Sequence, residues 1–494
     1  MNILTYIRGQ KPLTQLAIIL IGLLALRLTW LFIAPWGLHG DEAQYWAWSQ
    51  APAYGYFSKP PMIAWVIGAT TSVFGHAEWA VRLSAPFLHI ATTLMIFLTG
   101  RRFWDERTGF WAALTYVLMP AVWLSSFIMS TDAALLLCWA TALHGWACLR
   151  DGGGWDRVVQ LGAALGLGLL SKYAMAFMVP VLCFAVLFDR PSRKALLGSR
   201  GFIVAGIAAA LLLPNLIWNA AHDFATISHT AENANLGQDL FNPDEVIQFW
   251  VDQFGVFGFL PFPMLLIALV AAFKTRLSSP AKWVAALAAL PLLAITLEAL
   301  LSRANANWAV TAYIAGPLLV ALWAVQSPHR LAWLKWGLIF QTALVISVGS
   351  VAMSEKTVDA VGLTNAVKRL RAWPETAEAI STKITQDDYA YVAVDNRLVF
   401  YNLDYYGIGE TELAMWSLNA SPEHHASLTR ALPDTDEPVL ILSYYDKFEI
   451  FFREDFETLT ELDPIKIDLG RKKSRVLKLW RGTGYKRTSR ENRN

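Results

Sequence analysis

Two adjacent carboxylates stand directly after the first apolar stretch of the chain, in His39-Gly40-Asp41-Glu42, with Tyr45 and Trp48 following. Gly40 acts as a breaker and puts Asp41 or Glu42 at the start of a short helix, where the helix dipole favours an anion. Tyr45 and Trp48 then fall on the Asp41 stripe at i+4 and i+7. A carboxylate held against aromatic surface at a membrane boundary can work as a general base, because partial loss of water raises its basicity. A helix cap with an interfacial aromatic belt would use the same residues. The loop continues through Tyr56-Phe57-Ser58-Lys59-Pro60-Pro61. The two prolines fix the backbone after Lys59, which suits an ammonium holding a bound anion, a phosphate first of all, and Tyr56 is spaced to donate to the same oxygens.

Other candidates are spread along the chain. Arg82 and Lys172 are cations at boundaries on the same side, where snorkelling is an equal alternative. Arg27 lies inside the first apolar stretch and is expected to face the bundle interior, paired with an acid, or to reach the outer interface. Asp132 either caps its helix or joins the site of Asp41. His222 and Asp223 could bind a ligand or orient each other, with His229 compatible with the same helical face. Arg303, Asn305 and Asn307 supply a cation and amides suited to sugar hydroxyls or phosphate, and capping accounts for Asn305 equally well. None of this is a strong metal signature: no cofactor is required, and a divalent metal is compatible. There is no phosphate-binding P-loop and no dinucleotide fingerprint, so the residues point to a lipid phosphate rather than a nucleotide.

The elements that must position these residues are mostly membrane helices. The chain has 494 residues, 55% hydrophobic and 16% charged, with a mean hydropathy of +0.38, which excludes a wholly soluble protein. A net charge of +2 offers no basis for a nucleic-acid partner. Apolar stretches at 12–34, 82–100, 108–127, 130–149, 158–172, 174–189, 201–221, 254–273, 281–301, 307–325 and 331–352 predict about eleven spans. The shorter stretch 61–75 is expected to be re-entrant or to lie on the membrane surface. The first stretch reads as an uncleaved signal anchor. Cys138, Cys148 and Cys183 all fall in apolar stretches and imply no disulfide framework.

Alternating the loops puts Arg8, Lys11, Arg101, Arg102, Arg107, Arg150, Arg157, Arg190, Arg193, Lys194, Arg200, Lys274, Arg276, Lys282, Arg330 and Lys335 on one side, the cytoplasm by the positive-inside rule. The site candidates fall on the other. The expected organisation is a transmembrane domain over 1–354, with outer loops 37–81 and 220–253, and a small extracytoplasmic α/β domain over 355–494. In that domain a helix is predicted from Thr364 to Ile380, with strands Tyr389–Val394, Pro438–Ser443 and Arg475–Trp480. From Arg471 to Arg493 there are ten basic residues against Glu491, a solvated tail or a contact for anionic lipid.

The combination of Asp41-Glu42 after the first span, Tyr56-Phe-Ser-Lys59-Pro-Pro-x-x-x-Trp65, Arg82-Leu-Ser and Asp132 resembles the GT-C superfamily of integral-membrane glycosyltransferases. Within it the chain is most similar to bacterial relatives of the dolichyl-phosphate-mannose protein mannosyltransferases, including the aminoarabinose and galacturonic acid transferases of lipid A and core lipopolysaccharide. Trp218-Asn-x-x-His222-Asp223-Phe and Asn305-Ala-Asn307-Trp308 also resemble that branch. The resemblance implies a polyprenyl-phosphate sugar donor, a lipid-anchored glycan acceptor, membrane lipids as surroundings, no nucleic acid, and inversion at the anomeric carbon. It also implies a bacterial inner-membrane location with a cytoplasmic N-terminus and a periplasmic C-terminal domain. By motif, Asp41 is the catalytic carboxylate, Asp132 a second acidic participant, and Tyr56 and Lys59 hold the donor phosphate. Position 58 is Ser, where the aminoarabinose enzymes carry an acid; this puts aminoarabinose, and any metal role of that acid, in doubt.

The expected function is sugar transfer from that donor to lipid A or core lipopolysaccharide, with Asp41 and Lys59 lining one outer cavity. Protein O-glycosylation with the same donor, or a flippase or transporter, are the alternatives. The absence of half-to-half symmetry argues against the last.

Overall fold

The computed structural model describes residues 10–232, 240–274, 278–419 and 421–487. Arg8, Arg276 and the end of the basic tail lie outside the described residues. Internal packing groups the chain into two units, one of Met1–Ile33, Lys59–Val66 and Arg82–Ser350, the other of Ala34–Ser58, Ile67–Val81 and Val351–Asn494. Residues 34–58 and 67–81 therefore pack with the C-terminal segment.

The first unit is helical. Each of the eleven apolar stretches carries helix, but among the described residues six helices are long and apolar enough to cross a membrane: Pro12–Ile33, Glu78–Phe103, Thr131–Arg150, Ser199–Ala221, Ser279–Leu301 and Pro328–Ala352. Two bent pairs raise this to eight if each is one span, Tyr173–Phe188 with Arg190–Leu196 at 108° and Pro243–Phe257 with Pro261–Ala272 at 111°. The second bend has a covalent cause, since Gly258 takes φ +118° and Pro261 opens the next helix. The remaining stretches form shorter helices, such as Glu106–Val117 and Ala312–Val325. Hydropathy registers apolar length and is blind to such breaks. The segment at 61–75 forms the helix Met62–Phe74, 13 residues long and too short to span.

Trp139, Trp146, Phe97, Tyr116, Phe249 and Tyr313 are fully buried in this unit. Helices Ser84–Phe103 and Glu106–Val117 approach so closely that a Cβ on Gly100 would lie 2.6 Å from the Cα of Gly109, which requires glycine at the crossing. Arg27 is buried and meets no carboxylate among the described residues. Its Nη2 donates to the Val117 carbonyl at 2.7 Å and its guanidinium lies 5.0 Å from the Trp123 ring centroid. The expected acidic partner is thus replaced by a carbonyl and an aromatic face.

The second unit is built on a five-stranded sheet in the order β2-β1-β3-β5-β4, with β1 Tyr391–Val394, β2 Glu412–Met415, β3 Val439–Ser443, β4 Phe456–Asp468 and β5 Ser474–Tyr485. The first three pair in parallel and the last two antiparallel. β3 is buried at every position, as expected of a parallel strand covered on both faces. Strands β2 and β4 escaped the sequence reading: β2 is four residues long, and β4 has mostly polar, solvent-facing positions. The predicted Thr364–Ile380 helix is broken, with Thr364–Val367 separated from Trp373–Gln386 by Ala372 at φ +55° just before Pro374.

The outer loop is tied into this unit through backbone groups. Trp36 Nε1 donates to the Ala352 carbonyl at 2.7 Å, the Gly37 amide to Leu370 at 3.0 Å and the Leu38 amide to the Tyr406 hydroxyl at 3.0 Å. Helix Gly40–Gln50 then lies against helix Arg397–Tyr406, which connects β1 to β2. A Cβ on Gly40 would meet Leu398 at 2.7 Å, so only glycine permits this approach.

Candidate active site

The helix carrying Asp41 starts with a capping box. The His39 ring accepts from the Asp41 amide at 3.3 Å, and Glu42 accepts from the His39 amide at 2.9 Å. Glu42 is fully buried in that role, whereas Asp41 projects from the first turn with its side chain 42% exposed. Asp41 Oδ1 accepts from Nη1 of Arg397 at 2.9 Å, and Oδ2 lies 3.6 Å from His39 Nδ1. The same Nη1 also donates to the Gln44 side-chain carbonyl, one helical turn after Asp41. Arg397 is the first residue of its helix, held there by Asn396, whose side chain accepts from the Leu398 and Val399 amides. Among the described residues no cluster of three or more His, Cys, Asp and Glu could hold a metal ion.

Aromatic residues of that helix and of the loop after it stack together. Trp48 lies parallel to Tyr56 at 4.5 Å between centroids, and His425 meets both rings edge-on. Tyr45 is tilted against Trp48 at 5.3 Å. The Tyr56 hydroxyl accepts from the Ala53 amide at 3.1 Å and donates to the Trp48 carbonyl, 2.9 Å away. Burial pushes its pKa up to about 12. Tyr56 thus shapes the loop that leads to Lys59. Nearby, burial and then the Arg397 charge hold the His424 imidazole down to about 4, so it is neutral at physiological pH.

In the membrane unit three of the predicted residues converge. Asp132, in the first turn of Thr131–Arg150, accepts from Lys172 Nζ at 2.8 Å on one oxygen and from Asn307 Nδ2 at 2.9 Å on the other. The carboxylate therefore joins three elements and makes no cap. Next to Lys172, the Tyr173 hydroxyl donates to Asn215 at 2.9 Å, while Asn219 donates to the Asn215 carbonyl at 3.0 Å and accepts from the Thr226 amide at 3.2 Å. Arg82 is buried at the end of Glu78–Arg82, and Arg303 and Asn305 are exposed at the turn that carries Asn307. Lys59 begins the segment Lys59–Val66 of the membrane unit.

His222 and Asp223 do not orient each other. The His222 ring stacks on Trp218 at 4.1 Å with Nδ1 2.8 Å from the Trp218 carbonyl, while Asp223 and Phe224 take φ of +52° and +55°. That turn ends one helix at Ala221 and starts another at Ala225, so His229 does not continue the face of His222.

The dolichyl-phosphate-mannose-protein mannosyltransferase family model matches residues 58–218. The lipid A galacturonosyltransferase RgtD of Rhizobium johnstonii is 36% identical over 373 residues, 74% of this chain and 76% of that protein. The chain belongs to the bacterial lipid A glycosyltransferase family of the GT-C superfamily. A second relative of this glycosyltransferase is the undecaprenyl phosphate-α-4-amino-4-deoxy-L-arabinose arabinosyl transferase of Pseudomonas aeruginosa, 29% identical over 208 residues, 37% of each chain. Its fold is that of ArnT from Cupriavidus metallidurans, with a TM-score of 0.64 at 15% identity, covering 95% of this chain and 98% of that one. The glycosyltransferase is accordingly a multi-pass membrane protein.

Arg397, which contacts Asp41, and Gln44, which accepts from Arg397, were missed in the sequence. Asn396 after an apolar run is a recognisable helix-start signal, but nothing local ties it to a loop 356 positions earlier.

Proposed function

We propose that this enzyme transfers a galacturonosyl residue from a polyprenyl-phosphate donor to lipid A on the periplasmic face of the inner membrane, with inversion at the anomeric carbon. The observation that carries the reading is the 36% identity to a lipid A galacturonosyltransferase over three-quarters of both chains. Ser58 supports it, because the acid that precedes the corresponding lysine in aminoarabinose enzymes is absent. In this reading an acceptor hydroxyl oxygen attacks the anomeric carbon, its proton passes to Asp41, and the bond from that carbon to the phosphate oxygen breaks. Polyprenyl phosphate departs with the electron pair. The departing phosphate needs a cation more than a second acid, and Lys59, with its backbone fixed by Pro60 and Pro61, supplies it. Asp132, Lys172 and Asn307 form a polar support within the membrane unit, with Arg82, Arg303 and Asn305 as further donors to substrate.

Purified protein supplied with polyprenyl-phosphate galacturonate and lipid A should produce galacturonosylated lipid A. Lys59→Ala should raise the donor KM roughly 10- to 100-fold, the weight of a charge-assisted contact to phosphate, with a smaller effect on kcat. Unchanged donor affinity would remove Lys59 from that role.

A further inference from the structure

Arg397 has more hydrogen-bonding capacity than Asp41 and Gln44 consume. Both partners are served by Nη1. Nε and Nη2 make no hydrogen bond among the described residues, and the side chain is 34% exposed. A guanidinium has five N–H groups in a planar fork, and the Nε–Nη2 edge is the one that matches the two oxygens of a carboxylate. This edge is held in place from several directions. Asn396 caps the helix that starts with Arg397, Gly40 lets the Asp41 helix close on Leu398, and Gln44 and Asp41 grip the opposite edge. His424 nearby is neutral at physiological pH, so it supplies no competing charge.

We propose that Arg397 is the specificity-determining residue for the transferred sugar, its Nε–Nη2 edge binding the C6 carboxylate of a uronic acid while Nη1 holds Asp41. The proposal rests on the function inferred above and deepens it, because it places recognition of the sugar on the C-terminal segment. A lysine retains a single point charge and no second edge.

The test compares two donors that differ at one carbon, polyprenyl-phosphate galacturonate and polyprenyl-phosphate galactose, in full-length protein reconstituted in nanodiscs. Arg397→Lys should raise KM for the uronate donor about 10- to 100-fold, the worth of a hydrogen-bonded charge pair. Any loss that passes through Asp41 is common to both donors, so the ratio of kcat/KM between the uronate and galactose donors should still fall at least about tenfold. The galactose donor thereby serves as the internal control for folding. Competition binding of both donors provides the same comparison without turnover, and there the uronate donor alone should weaken. Equal losses for both donors would overturn the proposal and leave Arg397 as a support for Asp41 only, and an unchanged KM for the uronate donor would overturn it outright. Wild-type protein that transfers neither sugar would instead strike at the proposed function, and with it this inference.

Discussion

Asp41→Asn is expected to lower kcat by about 10²- to 10⁴-fold, the usual weight of a positioned general base. Asparagine is nearly isosteric and its carbonyl oxygen can still accept from Arg397 Nη1, where the aspartate does so at 2.9 Å. It has no charge and cannot take the acceptor's proton at neutral pH. Because the side chain is 42% exposed and the helix is capped by His39 and Glu42, the thermal midpoint should move little. Donor KM should also change little, since the phosphate is assigned to Lys59. The combination of lost turnover, retained donor binding and retained fold separates a proton acceptor from a structural partner of Arg397. Near-normal turnover would remove Asp41 from the reaction.

The largest stability effect is expected at Asp132. Its carboxylate is 7% exposed as a residue and satisfies both Lys172 and Asn307. Asp132→Ala strands the Lys172 ammonium in a low-dielectric setting, a change that costs about 3–5 kcal/mol in a fully buried pair. The Lys172 side chain is 23% exposed, so water offsets part of the loss and about 2–4 kcal/mol is expected. The thermal midpoint in detergent should fall by several degrees. The double variant Asp132→Leu, Lys172→Met removes both charges and should recover most of that stability, because an apolar pair of similar volume is often as stable as the ion pair it replaces. Transfer activity should stay low in the double variant if the cluster supports substrate as well as fold. An Asp132→Ala protein as stable as wild type would show that the pair contributes nothing to the bundle.

The residues that proved legible in the sequence were those whose meaning is local or fixed by the membrane. Asp41 and Glu42 after Gly40 did mark a helix start, because capping chemistry is confined to one turn. Asp132, Lys172 and Asn307 were placed on one side by the alternation of loops, and in the structure they touch. What escaped was set by distant contacts. The Tyr56 hydroxyl bonds the backbone at Trp48, Ala51 and Ala53, contacts that spacing alone does not announce. Arg397 reaches Asp41 from across the chain, and the packing of the outer loop on the C-terminal segment depends on Trp36, Gly37 and Leu38 finding backbone and side-chain partners beyond residue 350. His222 failed to join Asp223 because both sit in a turn whose positive φ values a Trp-Asn-x-x-His-Asp string does not announce. Span counting from hydropathy does not register where Pro and Gly break helices inside apolar stretches.

Mass spectrometry of lipid A from cells lacking the gene, and from the same cells given back either the wild-type or the Asp41→Asn protein, tests the central claim most directly. Lipid A should lose its hexuronate in the deletion and regain it with wild-type protein, but not with Asp41→Asn produced at the same level in the membrane. Lipid A whose hexuronate content is the same in all three strains would contradict both the assigned acceptor and the role of Asp41.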